Sequence, residues 1–313
     1  MYQSPTRVAV VILNYNSEQD TRICAEQIAA QHGVHLSIIL VDNASHADSK
    51  NELSSWLSAW RADAISGTAE EISQWVKFNR DASERSGNVY FVRNHENKGY
   101  SAGNNGGARL AVLLGCEAVL IVNPDVRIED RDYLLKLYLK LMSDEKYVVA
   151  ASAIYNLSGA NENPMRELKF AEELLLPLRN FFSWLGIRRR FNRTRTGEVC
   201  RQVSGSCFLI KSTFLKEIDY FDEGVFLYCE EAILGAQIRN AGKAIAYLPE
   251  VKALHAHQAA AKGPRAGRTR AWIKSRGYYL RHHTEYGVFR RALLWLSHRI
   301  TLTLMRLRDA LSI

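Results

Sequence analysis

The chain lacks the features that would make it a membrane-spanning protein or a small disulfide-stapled one. No stretch reaches the roughly 18 consecutive apolar residues expected of a membrane span. Met1–Arg7 leads directly into a short apolar run, with no long apolar region and no small-residue cleavage site, so no signal peptide is expected. Cysteine is sparse: Cys24, Cys116, Cys200, Cys207 and Cys229 are scattered, odd in number and without C-x-x-C spacing. Reduced, buried thiols in a cytoplasmic chain are the expectation. Only six prolines occur among 313 residues, and no internal repeat is visible, which excludes collagen-like and low-complexity chains. Acid is scarce in one place only. Residues 262–313 hold twelve Lys/Arg against two Asp/Glu, a net charge of +10, whereas residues 1–261 hold 29 against 31, a net of −2. A near-neutral body with a basic tail is therefore expected, and either an anionic membrane or a nucleic acid suits such a tail.

What is present is an alternation of elements. Val8–Leu13, Leu36–Val41, Asn88–Val92 and Ala118–Val122 are apolar, β-branched runs that predict strands buried on both faces. Glu18–Gln31 has helical spacing, and a helix over Asn105–Leu114 follows a glycine-rich turn. This order predicts an α/β fold with a mostly parallel central sheet flanked by helices. Ligands of such sheets bind beyond the strand carboxyl ends, where Asn14, Asp42 and Asp125 fall. Ala47–Gly87 reads as an insertion carrying Trp56, Trp60 and Trp75. Further on, Leu174–Arg201 reads as a loop with Phe181, Phe182 and Trp184 before Arg188–Arg190. Val203–Ile210 predicts a strand, Glu230–Asn240 a helix closed by Gly242, and Ala244–Leu248 another strand. Val288–Leu307 predicts a basic amphipathic helix.

Each candidate site residue also has a plain structural reading. Asp42 at a strand end suits a ribose or a base N–H, or a turn with Asn43 and Ser45. Asn97–Gly107 holds four glycines and three asparagines before a helix N-terminus, which favours a nucleotide over an ordinary turn. It matches neither a Walker A nor a G-x-G-x-x-G sequence. Asp125, in Asn123–Pro124–Asp125, supplies one oxygen ligand for a hard divalent ion, or merely closes a turn. Asp130 and Asp132 read as charges at a helix N-terminus. Glu230 and Glu231 complement a helix dipole, or form a general base whose pKa is raised by mutual repulsion. His255 and His257 follow a strand and suit Mn²⁺, or are surface histidines.

In this order the motifs resemble family 2 glycosyltransferases with the GT-A fold, over about Val8 to His255. The carrying residues are Val11–Asn16, Val41–Ser45, Asn97–Gly107 and Val122–Val126, then Val203–Ile210, Phe221–Glu223, Tyr228–Glu231 and Leu254–His255. Asn123–Pro124–Asp125 and the Lys274–Tyr279 region resemble the rhamnosyltransferase-like branch that builds bacterial O-antigen and capsular polysaccharides. The resemblance implies a GT-A catalytic domain over residues 1–261, with the insertion at about 47–87, and a basic helical extension over 262–313. It implies that Leu13, Asn14, Tyr15 and Asp42 hold the nucleoside, and that Asn97, Lys98, Gly99, Gly103, Asn104 and Asn123 border the nucleotide sugar. Asp125 and His255 would bind Mg²⁺ or Mn²⁺. Glu231 would be the general base of an inverting transfer, alone or sharing the role with Glu230.

Two positions depart from the family pattern. Asn123 stands where a carboxylate is usual, and Glu231 stands where an aspartate is usual. They leave a catalytically inactive scaffold as one alternative. The other is a nucleic-acid binder built on Trp272, Tyr278 and Tyr279 among basic residues. That alternative leaves the ordered pocket motifs unexplained, so no nucleic acid is expected. The implied donor is a nucleotide sugar, dTDP-L-rhamnose as first guess, and the implied acceptor is a lipid-linked oligosaccharide. The tail would then hold the protein peripherally on the inner face of the cell membrane through anionic lipid, or pack on the body or on a second subunit of a homodimer.

Overall fold

The computed structural model describes residues 6–79, 81, 87–184, 200–257 and 265–311. The first half runs β1 (Arg7–Asn14), α1 (Glu18–Ala29), β2 (His35–Asp42), α2 (Ala47–Trp60), β3 (Ile65–Gly67), α3 (Ala69–Phe78), β4 (Asn88–Arg93), α4 (Tyr100–Leu113) and β5 (Ala118–Val122). There follow β6 (Val126–Arg127), α5 (Tyr133–Met142), β7 (Tyr147–Asn156), α6 (Phe170–Leu174), α7 (Leu176–Trp184), β8 (Cys207–Lys211) and α8 (Ser212–Glu217). The chain ends with α9 (Glu230–Asn240), β9 (Ala244–His255), α10 (Arg265–His282) and α11 (Val288–Ala310).

Among the described residues the strands form one sheet in the order β3-β4-β2-β1-β5-β8-β7-β9-β6. The β3 to β5 half is parallel throughout. Strand β8 is antiparallel to both neighbours, and β6 is antiparallel to β9. The continuous apolar runs are explained by two cores. Val8, Val10, Ile12, Ile38 and Leu40 face one side of the sheet, and Ala9, Val11, Ile39 and Val41 face the other. Period-two alternation puts both faces of β1 and β2 under helices, so no polar face is needed.

Several boundaries differ from the sequence reading. Helix α4 begins at Tyr100, inside the glycine run rather than after it. Gly99 at φ +103° starts it, and a Cβ on Gly103 or Gly107 would come within 2.6 Å of Leu13 or Val11. These two glycines let the helix lie close on β1 and do not form a turn. Strand β9 continues past Pro249 to His255, through a register irregularity against Ser152–Ala153. The predicted strand at Val203–Ile210 starts only at Cys207, and Val203–Ser206 is a loop. The 47–87 insertion supplies α2, α3 and β3, and β3 extends the sheet edge. Trp56 and Trp60 stack at 4.8 Å and pack on one core, while Trp75 packs on the other.

The tail is docked on the body. Tyr279 and Leu280 of α10 and Leu294 of α11 bury against Val225, Cys229, Ala232, Ile233 and Ala236. Arg276 forms a two-pronged ion pair with the fully buried Glu173 at 2.8 and 2.7 Å, and His298 Nε2 lies 2.9 Å from the same carboxylate. Trp272 packs edge-on against His298, and Tyr279 is buried. Trp272 is half-buried and Tyr279 fully so, both packed against the body. Arg188–Arg190 and the 261/262 boundary lie outside the described residues. Four of the five cysteines are buried, Cys200 is partly so, and all five are unpaired.

Candidate active site

The site gathers at the carboxyl ends of β1, β2, β4 and β5. Asn14 ends β1 and uses its whole amide there. Its Nδ2 donates to Asp42 Oδ1 (3.0 Å) and Ser45 Oγ (3.1 Å), and its Oδ1 accepts from Ser17 and Thr21. Asp42 is fully buried and also accepts from Ser45 N at 3.4 Å. Tyr15, by contrast, is 48% exposed. Asn43 links β2 to the β4 loop, since its Nδ2 donates to Asn97 Oδ1 (3.0 Å) and Gly99 O (3.2 Å) and its Oδ1 accepts from Asn94. Asn97 Oδ1 also accepts from Gly99 N, which shapes the turn into α4. Lys98 points outward, 3.9 Å from Glu96. Asn104 is buried on α4, with its Oδ1 lacking a hydrogen-bond partner.

Asn105, absent from the sequence reading's site residues, has a clear task. Its amide bonds both backbone groups of Phe221 and the Glu223 carboxylate, at 2.7 to 2.9 Å. It thus clamps the 221–229 loop that leads to Glu230. Gly99 is pressed against the same loop, because an added Cβ would lie 2.4 Å from Phe226 O. Tyr228 and Cys229 adopt left-handed backbone, at φ +72° and +71°, and turn the chain into α9.

Glu230 and Glu231 open α9. A small cavity of about 20 Å³ lies beside them, lined also by Tyr100, Gly205, Phe208 and Phe221. Burial pushes Glu230 up to about 8, and the charge of Glu231 adds to the rise. Burial likewise raises Glu231, opposed by its own main-chain N–H and by the nearby main chain of Gly205. Glu230 Oε1 is buried without a partner. Two adjacent carboxylates in such surroundings favour sharing a proton, a state able to take up or release one near neutral pH.

The loop Ser204–Ser206 joins this pair to the β5 end. Gly205 O accepts from Tyr100 Oη at 2.6 Å, and Ser206 O accepts from Asn123 N at 2.8 Å. Two residues beyond Asn123, Asp125 meets two imidazoles. His257 Nδ1 lies 3.0 Å from Asp125 Oδ2, and His255 Nε2 lies 3.3 Å from Oδ1. The three ligand atoms fall within 4.8 Å of one another. Burial opposes ionisation of Asp125, yet bonds from the two imidazoles hold its carboxyl below the usual range. Burial also opposes a charge on His255, but Asp125 and Glu162 lift it to about 9.

A divalent ion fits this donor set. Asp125 Oδ1 is buried, makes no hydrogen bond of good geometry and has only the His255 imidazole 3.3 Å away as a charged partner, a place that a divalent ion could take. One carboxylate and two imidazoles form a mixed oxygen–nitrogen set suited to Mn²⁺. Binding an ion there would displace the proton that His255 holds. The family resemblance joins Asp125 with His255. The structure brings His257, also a Mn²⁺ candidate by sequence, to the same carboxylate. Asn123 presents its backbone here, and its missing carboxylate is replaced in number by His257.

Comparisons with known proteins agree with this architecture. The hexosyltransferase Agl10 of Haloferax volcanii, named for low-salt glycan biosynthesis, is 27% identical over 252 residues, covering 79% of this chain and 66% of Agl10. An N-acetylglucosaminyl-diphospho-decaprenol L-rhamnosyltransferase of Mycobacterium tuberculosis is 36% identical over 61 residues, 20% of each chain. The chain thus spans less than two thirds of the length of these curated relatives. Mannosyltransferase PcManGT of Pyrobaculum calidifontis, solved with GDP-Man and Mn²⁺, has a TM-score of 0.57 at 17% identity, over 98% of this chain and 74% of that chain. The likeness is one of fold, and the fold is GT-A. The model for glycosyl transferase family 2 matches residues 9–219, two thirds of the sequence and nearly all of the sheet's parallel half, and the chain belongs to that family.

Proposed function

We propose that the chain is an inverting glycosyltransferase that moves a sugar from a nucleotide-sugar donor to a hydroxyl of a lipid-linked oligosaccharide, in bacterial surface polysaccharide synthesis. The observation that carries this reading is the Ser204–Ser206 loop. Its Gly205 lies against the Glu231 carboxyl, and its Ser206 O accepts from Asn123 N at the strand end bearing Asp125, so that a base and a diphosphate anchor share one wall. Leu13, Asn14, Tyr15 and Asp42 border the nucleoside, with Tyr15 as the exposed face and Asn14 and Asp42 as the frame beneath it. Asn97, Lys98, Gly99 and Asn123 border the diphosphate and sugar, and Gly103 and Asn104 shape that wall from α4.

Asp125, His255 and His257 would hold Mn²⁺, or Mg²⁺ less favourably, and the ion when bound neutralises charge on the diphosphate. Glu231 takes the proton of the acceptor hydroxyl. The freed oxygen attacks the anomeric carbon opposite the leaving group, the bond to the nucleoside diphosphate breaks, and the configuration inverts. Glu230 shares the proton and sets when the pair is ionised. The relative that names L-rhamnose and a diphospho-decaprenol acceptor favours dTDP-L-rhamnose and a polyprenyl-diphosphate glycan for this chain. A thermal-shift screen of nucleotide sugars, with and without Mn²⁺, tests the donor class. One sugar nucleotide should stabilise well above the rest, and more so with Mn²⁺. A flat response across all of them would contradict the reading.

Membrane contact is the second part of the proposal. Among the described residues no helix is long and apolar enough to cross a membrane. Helix α11 exposes Phe289, Trp295, Leu296 and Ile300 next to exposed Arg290 and Arg299, and the neighbouring α7 exposes Leu178, Phe181 and Phe182. Apolar bulk with arginines suits the headgroup region of an anionic bilayer on the cytoplasmic face. Co-sedimentation with anionic vesicles at low salt, lost on neutral vesicles, is the expected result. Failure to sediment, with a dimer seen by light scattering, would assign this face to a second copy.

A further inference from the structure

We infer that Glu162, in the loop after β7, is a positioning residue that holds the His255 imidazole with Nε2 facing the metal site. The inference rests on the metal reading above and adds a residue that the sequence reading did not contain. His255 Nδ1 lies 2.7 Å from Glu162 Oε2, while Nε2 on the far side of the ring lies 3.3 Å from Asp125 Oδ1. One ring nitrogen is thus tied back to a carboxylate and the other is presented to Asp125. A carboxylate that accepts from the non-ligating nitrogen fixes the rotation of the ring and raises the basicity of the ligating one.

The loop around Glu162 is built to keep it there. Glu162 N donates to Ile154 O at 2.7 Å. Asn161 on one side accepts from Ile154 N and Asn163 N and donates to Tyr247 Oη. Asn163 on the other side is fully buried, donates to Ser152 O and accepts from Ser204 N at 2.7 Å. That last bond reaches the loop that carries Gly205 and Ser206. His255 itself ends β9 between β7 and β6, with Asn156 and Val126 as its partners in register. The backbone therefore places the ring, and Glu162 sets its rotation. Glu162 thus engages one ring nitrogen and leaves the other on the side of Asp125 and His257, the remaining donors of the candidate metal site.

The test uses the full chain after chelation, with Mn²⁺ as the probe and its electron paramagnetic resonance signal as the readout. Glu162→Gln and Glu162→Ala should weaken Mn²⁺ binding by about 10- to 100-fold. In a His255→Ala background, Glu162→Gln should change affinity by less than about twofold, because the effect acts through the ring. Proton NMR of the metal-free protein should show a protected, downfield His255 Nδ1–H that disappears in Glu162→Ala. Mn²⁺ affinity unchanged in both single variants, or a loss that persists in the His255→Ala background, overturns the inference. If the wild type binds no Mn²⁺, the metal reading falls and the inference, which rests on it, falls too. The Nδ1–H signal then reports separately whether Glu162 holds the ring.

Discussion

The phenol of Tyr278 lies 2.9 and 3.1 Å from the two carboxylate oxygens of Asp222. His283 Nε2 and Gly224 N reach the same carboxylate at 2.8 and 2.7 Å, and Ser275 Oγ donates to Leu227 O. Helix α10 therefore grips the loop that delivers Glu230 and Glu231. The Tyr278 ring also covers Gly224 so closely that a Cβ there would come within 2.0 Å of it. Tyr278→Phe should cost about 1–2 kcal/mol in urea unfolding, the loss of a hydrogen bond to a charged acceptor. A chain ending at residue 261 should lose cooperative melting, because it exposes Val225, Cys229 and Ile233. A truncated chain that kept the wild-type Tm would make the tail a mere appendage.

The carboxylate pair gives a pH dependence with a definite sign. Glu230 is pushed up to about 8 and Glu231 is also raised, so transfer should increase as pH rises toward 8. Removing one charge with Glu230→Gln should move that rising limb to lower pH, because the like-charge repulsion is gone. Stability runs the opposite way. The folded state holds a proton that the unfolded chain loses near pH 4.5, so stability is full below that pH and declines as pH rises through about 8. Glu230→Gln should therefore melt above the wild type at pH 9 and show a smaller gain at pH 5. A limb and a Tm difference that ignore the substitution would contradict this account.

The glycines of α4 separate into two classes. Gly103→Ala meets the half-buried Leu13 and the Asn43 amide, and Gly107→Ala meets the fully buried Val11. Each should cost about 1–3 kcal/mol by overpacking. Gly106 has nothing within 4 Å of an added Cβ. Gly106→Ala should stabilise by about 0.5–1 kcal/mol through helix propensity alone. Urea midpoints for the three variants check the order.

Asn14→Asp tests the frame under the nucleoside. The substitution keeps an acceptor for Ser17 and Thr21 but swaps the donor that faces Asp42 for a second carboxylate. A buried like-charge contact replaces a 3.0 Å hydrogen bond. A loss of about 2–4 kcal/mol at pH 7, partly relieved at pH 4, is expected from denaturant curves. Wild-type stability at both pH values would show that the Asn14–Asp42 bond contributes little.

The parallel half of the sheet was legible because strands buried on both faces leave continuous apolar runs, as at Val8–Leu13 and Leu36–Val41. Asp125, His255 and the Glu230–Glu231 pair were legible because carboxylates and imidazoles at strand and helix ends stand out. The start of α4 was not, because Gly103 and Gly107 carry the composition of a turn while serving close helix–strand packing. Nor were the full length of β9, which absorbs Pro249 in an irregularity, or β7, whose Ala-rich run resembles a helix as much as a strand. Asn105, Glu162 and the Tyr278–Asp222 contact depend on separations of 56 to 118 residues that no local pattern encodes.

The central claim is that Glu231 is the base of a sugar transfer. Its most direct test is nucleoside diphosphate release by wild type and Glu231→Gln, using the nucleotide sugar that stabilises the protein most, Mn²⁺ and a polyprenyl-diphosphate glycan. The account predicts turnover reduced by about 10²-fold or more, with donor affinity within about twofold of wild type. Equal turnover in Glu231→Gln would contradict it.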